Sequence, residues 1–157
     1  MAASAWTVFN EYRKWIVDGT IDHPTTVVDL HLFTTAASAN ITNDALSTLG
    51  SIGNEVASVA NSYSQSGIAI TDTWTTGDSV GQMRYDMSDI IVTASGANIV
   101  NIRYALLVAR TGASGKDTVN KVMMRAALTA TQFTLNDGST LTIATPAGDG
   151  IFELSGG

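Results

Sequence analysis

The sequence predicts a mainly β protein, an antiparallel jelly-roll-like sandwich with one N-terminal helix, and three observations carry that expectation. From Thr25 onward, short runs rich in Val, Ile and Thr are separated by Gly, Asn, Asp and Ser, the spacing of an antiparallel sandwich or barrel rather than of βαβ units. Polarity comes from hydroxyls rather than ions: 35 of the 157 residues are Ser or Thr, and only 14% are charged, against about a quarter in an ordinary domain. Asn136-Asp137-Gly138-Ser139, Ser95-Gly96-Ala97-Asn98 and Thr111-Gly112-Ala113-Ser114-Gly115-Lys116 are hairpin punctuation. The length is that of one domain, residues 1–157, divided into a helical part (1–19) and a β-sandwich (25–157).

The helix is expected over residues 4–17. Ser4 is a reasonable N-cap, and Trp6, Phe9, Arg13 and Ile16, with Tyr12 and Trp15 beside them, recur at three-to-four spacing. Asp18-Gly19 stops it, Gly19 supplying the left-handed residue that follows a helix. The aromatic face has to be buried, against this domain or a neighbour.

Strands are then expected at Thr26–Phe33, Glu55–Tyr63, Gly67–Thr75, Arg84–Thr93, Ile99–Arg110, Val119–Leu128, Ser139–Ala144 and Gly150–Leu154, a number that suits a jelly roll. In the first, Val28, Leu30 and Leu32 alternate with Val27, Asp29 and His31. The fifth is apolar on both faces near its end and is expected to be central. Residues 34–54 are expected to form a long connection, with one short helical turn available at Asp44–Leu49. A connection of that length implies a job, here lying along a neighbouring subunit.

Bulk properties narrow the partners. A net charge of −6 without a basic patch argues against nucleic acid. No basic segment is followed by an apolar run, and no stretch approaches bilayer-spanning length, so a soluble protein without a membrane partner is expected. The absence of cysteine excludes disulfides and thiolate metal sites. A surface of Thr, Ser and Ala is easily desolvated, which favours assembly.

Catalytic chemistry finds little to use, and no enzyme, cofactor or metal site is expected. The two imidazoles, His23 before Pro24 and His31 on a strand, have no helical HExxH context, and Asp22 and Asp29 add no ligand spacing. Gly112–Asp117 superficially resembles a phosphate loop, but Arg110 stands where the first glycine is needed and Asp117 where a Ser or Thr would meet magnesium. Asp86 and Asp89 fall on opposite strand faces, a poor acid/base pair. The Asn40-Ile41-Thr42 sequon is what a Thr-rich chain produces by chance. Tyr63, Trp74, Tyr85 and Tyr104 could form a sugar platform, the alternative of a carbohydrate-binding module, but core positions are the ordinary explanation.

Several segments in order resemble small head-associated structural proteins of tailed phages. They are the aromatic helix ending Asp18-Gly19-Thr20-Ile21-Asp22, the strand Val27–Phe33, Asn54-Glu55-Val56, Ser62-Tyr63-Ser64 and Gly67-Ile68-Ala69-Ile70 before Trp74. Ile99–Val108 around Arg103-Tyr104-Ala105 and a terminal hairpin ending Gly150–Ser155 complete the pattern. Ser62-Tyr63 and Ser66-Gly67 stand where members usually show Gly-Tyr and a glycine pair.

The resemblance implies a capsid cement or decoration protein, a virion component often trimeric, bound on the outer head surface where major capsid proteins meet. A tail, baseplate or fibre position is the alternative within the same class. The expected contact regions are the helix face around Trp6, Phe9 and Tyr12 and the connection Thr34–Gly53.

Overall fold

A computed structural model describes residues 5–21, 26–76, 82–111, 120–145 and 152–155. The described chain begins with β1 (Thr7–Val8), α1 (Asn10–Val17), β2 (Val28–Phe33), α2 (Ser38–Ile41) and β3 (Ile68–Ala69). It continues with β4 (Asp72–Thr76), β5 (Gln82–Met87), β6 (Ile90–Thr93), β7 (Ile99–Ile102) and β8 (Tyr104–Ala109). The last strands are β9 (Lys121–Ala127), β10 (Phe133–Leu135), β11 (Thr140–Ile143) and β12 (Phe152–Ser155). The protein is mainly β, and every strand pair among the described residues is antiparallel.

From β5 onward the pairing is nested. β8 pairs with β9, β7 with β10, β6 with β11 and β5 with β12, so the second half of the chain is one long hairpin whose arms stay together. β4 adds to the outer side of β5, and a five-stranded sheet runs β1-β9-β8-β2-β3. β8 is central in that sheet, as its two apolar faces predict.

Directly opposed residues of an antiparallel pair share a face. The register Leu30↔Leu107 and Leu32↔Ala105 therefore puts Val28, Leu30 and Leu32 with Ala105, Leu107 and Ala109 on one side. Asp29, His31 and Phe33 share the other side with Val108, Leu106 and Tyr104. Both sides are buried along the whole of β2 and β8. The second side is covered by the chain between β2 and β3.

That covering chain corrects two expectations. Residues 34–54 form helical turns at Thr35–Ala37, Ser38–Ile41 and Leu49–Ser51, not at Asp44–Leu49. Ala37, Ile41, Leu46, Leu49 and Ile52 are buried in the chain's own core, so the connection's apolar residues do not lie along a neighbour. Residues 55–63 are not a strand: Asn54 and Asn61 adopt φ of 62°, which ends extended backbone at both places, and only isolated bridges Phe33↔Glu55 and Val59↔Tyr63 form.

The N-terminal helix is shorter than its periodicity suggested. Ser4 lies outside the described residues, and Thr7–Val8 is extended because it pairs with Arg125 and Met124 at the edge of β9. The Phe9 N–H then donates to Met123 O at 3.0 Å and the helix starts at Asn10. Gly19 at φ 75° terminates it as expected. Strands expected at 67–75, 84–93 and 99–110 each divide in two, and β10 lay in no expected strand.

Candidate interaction surface

Charge is unevenly spread along the chain. Segments 56–71, 90–102, 126–136 and 138–148 contain no Asp, Glu, Lys or Arg. The nested hairpin brings their described parts together: β6 lies on β11, β7 on β10, and the loop at 58–64 closes against Ser95. The Ser62 hydroxyl donates to Ser95 O at 3.0 Å and accepts from Ser95 N at 2.7 Å. Ala94 N donates to Ser139 O at 3.0 Å, and Gly138 N to Ala94 O at 2.9 Å.

What this end shows to solvent is apolar or hydroxylic. On the β6–β11 ribbon, Ile90, Val92, Leu141 and Ile143 turn inward, leaving Ile91, Thr93, Thr140 and Thr142 outside. Ile91 is 64% exposed and Val100 on β7 is 43% exposed. Open depressions of about 510 Å³ over Ser58–Ser64 and about 190 Å³ between Ile68–Thr71 and Ser88–Ile91 give the end relief. Its described charges are Asp89, Arg103 and Asp137. Charge gathers instead on and beside α1, which packs on β9 and carries Glu11, Arg13, Lys14 and Asp18. There Lys121 lies over Trp15, and Arg125 lies over Phe9 while pairing with Asp44 at 2.8 Å.

A buried polar strip holds the loop that forms part of this end. Arg110 donates from Nε to Asp29 Oδ2 at 2.7 Å and from Nη2 to Asp29 Oδ1 at 2.5 Å, and this pairing raises the Arg110 pKa. Two residues along β2, His31 Nδ1 lies 2.8 Å from Glu55 Oε1, which also accepts from the Tyr63 hydroxyl at 2.7 Å. That hydroxyl in turn accepts from Leu32 N at 2.9 Å. Burial, then the Glu55 charge, pushes the Tyr63 phenol far above its ordinary value.

Gly67 closes the strip. It has φ 85°, and a Cβ there would lie 2.7 Å from His31 Nε2 and 2.8 Å from Asp29 Cβ. His31 resembles a catalytic imidazole with its carboxylate, but it has no exposure, and its Nε2, without a hydrogen bond, faces the Gly67 backbone. A substrate cannot reach it in this state. The strip serves to seat residues 54–67 on β2.

The expected contact residues lie elsewhere. Phe9 and Tyr12 are fully buried in this chain's core and have no surface to give a partner, while Trp6 is half-buried. The reason is local: β1 pins Phe9 to β9, so the aromatic side of α1 packs on the sheet. Tyr63, Tyr85 and Tyr104 are also buried, and Trp74 packs on Tyr85 at 5.4 Å, so these four make no exposed aromatic row. His23 and the 112–117 loop lie outside the described residues.

Asp86 and Asp89 each accept from a backbone N–H, Asp86 from its neighbour Met87 and Asp89 from Thr145, 56 residues away in sequence. Among the described residues no three His, Asp or Glu gather as a metal site, and no helix is long and apolar enough to cross a membrane. Glu55, Gly67 and Arg110 were not recognised from sequence as working together; the Asn54-Glu55 and Ser66-Gly67 pairs were the available signal. No family model, curated protein or solved structure matches this chain.

Proposed function

We propose that this chain is a non-catalytic virion structural protein of a tailed phage, a cement or decoration protein that binds the outer surface of the major capsid protein lattice. The observation that carries the assembly reading is the charge-poor end, where four uncharged segments converge on two ribbons with outward Ile91, Val100 and threonines. Such a surface loses little on desolvation, and interface cores are depleted in charge for that reason. The nested β5–β12 pairing is what rolling up one long hairpin produces, which supports the jelly-roll-like sandwich of this reading. The placement on a phage head comes from the sequence resemblance. In this mechanism no residue performs chemistry: many uncharged contacts, repeated by a trimer over a symmetric lattice, stabilise the shell through avidity.

The test is co-sedimentation of the purified chain with tailed-phage capsids that lack it. Saturable binding, with capsids surviving heating better, is expected. No binding to capsids together with binding to isolated tails would move the protein to the tail, baseplate or fibre position.

A further inference from the structure

Arg103 stands at the break between β7 and β8, its N–H donating to Phe33 O at 2.9 Å and its carbonyl accepting from Leu128 N at 2.8 Å. Its guanidinium lies 4.9 Å from the centroid of the Tyr104 ring. The Nε–H is buried without an acceptor, and no carboxylate among the described residues pairs with this side chain. Arg110 and Arg125, by contrast, have Asp29 and Asp44. A half-buried guanidinium resting over an aromatic ring, with no carboxylate partner among the described residues, leaves the accessible part of its charge for a carboxylate from outside.

Asp137 occupies the other end of the same ribbon. Its Oδ1 accepts from Gly96 N at 2.7 Å and its N–H donates to Asn98 Oδ1 at 2.8 Å, which fixes the exposed carboxylate while Oδ2 keeps no bond among the described residues. From Asn98 to Arg103 the chain advances about 16 Å at the strand rise, too far for the two charges to meet within one molecule. Between them Val100 is 43% exposed. Half-exposed Val100 thus lies between a cation at one end of the ribbon and an anion at the other, so the cation end of one copy can meet the anion end of the next, head to tail.

We infer that the β7–β10 ribbon docks a second copy of this chain, with Arg103 of one copy receiving the Asp137 carboxylate of the next. This rests on the assembly reading above and names its partner at this end. Copies that each carry a net charge of −6 repel one another, and the Arg103–Asp137 pair opposes that repulsion at the contact. A head-to-tail contact of this kind generates a ring when the rotation between copies closes, and a ring of three accommodates the trimer.

Sedimentation velocity of the full chain tests it with Arg103→Glu, Asp137→Arg and the double charge swap. The wild type is expected to sediment as an oligomer. Each single reversal should weaken self-association by at least about tenfold, and the double swap should restore it. Arg103→Gln and Asp137→Asn, which remove charge without reversing it, provide the same reading if a reversal fails to fold. An oligomer indifferent to all single changes, or a swap that restores nothing, would overturn the contact while leaving the assembly reading in place. A wild type that is monomeric throughout would overturn the self-contact, and capsid co-sedimentation would then judge the cement reading separately.

Discussion

Gly67→Ala is expected to unseat the 54–67 loop and to be among the most damaging single substitutions in the protein. An Ala at φ 85° carries about 1–2 kcal/mol of left-handed strain. Its methyl would also sit 2.7 Å from His31 Nε2 and 2.8 Å from Asp29 Cβ, inside any real contact distance. Neither neighbour can retreat, since His31 is held by Glu55 and Asp29 by Arg110. Forcing the backbone aside adds roughly 1–3 kcal/mol. A total near 4 kcal/mol corresponds to a Tm lower by roughly 10 °C in a domain of this size, measurable by calorimetry. An unchanged Tm would mean that the strip does not hold the loop. Because the loop forms one side of the charge-poor end, the same variant should lose assembly under conditions where it is still folded.

Alkaline pH should unfold the protein cooperatively. Tyr12, Tyr63 and Tyr85 are all pushed upward, first by burial and then by Asp72 for Tyr12 and Tyr85 and by Glu55 for Tyr63. The unfolded chain ionises its phenols near pH 10. Below that pH both states keep these protons and the phenols leave stability independent of pH. Above it the unfolded state sheds protons that the folded state retains, so stability falls by about 1.4 kcal/mol per pH unit for each phenol, about 4 kcal/mol for three. Tyrosinate absorbance should therefore rise for these three of the four tyrosines in one step, coincident with loss of β circular dichroism. Gradual ionisation near pH 10 with the fold intact would contradict their burial.

Local pattern made the β class legible, and so was the centrality of β8, because Ile99–Arg110 is apolar on both faces near its end. The second face of β2 was not. Asp29 and His31 alternate with Val28, Leu30 and Leu32 and look like a solvent side, yet both are buried. Their partners stand far away in sequence, Glu55 24 residues from His31 and Arg110 81 residues from Asp29, so no local signal joins them.

The helix reading failed in a similar way. Trp6, Phe9, Arg13 and Ile16 have helical spacing, but Thr7 and Val8 satisfy their backbone on β9 first, which leaves Tyr12 and Trp15 as the buried helix residues. At 55–63 the β-prone composition was real, and the left-handed Asn54 and Asn61 broke it. The uncharged segments of the candidate surface can be seen in the sequence; their convergence depends on the nested pairing of β6 with β11 and β7 with β10, which is long-range.

Amide hydrogen exchange on the protein bound to capsids, compared with the free protein, addresses the central claim most directly. Binding through the charge-poor end predicts added protection in β6, β11 and the 58–64 loop, with α1 unchanged and β7 and β10 already protected in the free oligomer. Protection confined to α1 and the charged side around Arg13 and Lys14, with the two ribbons exchanging as before, would contradict it.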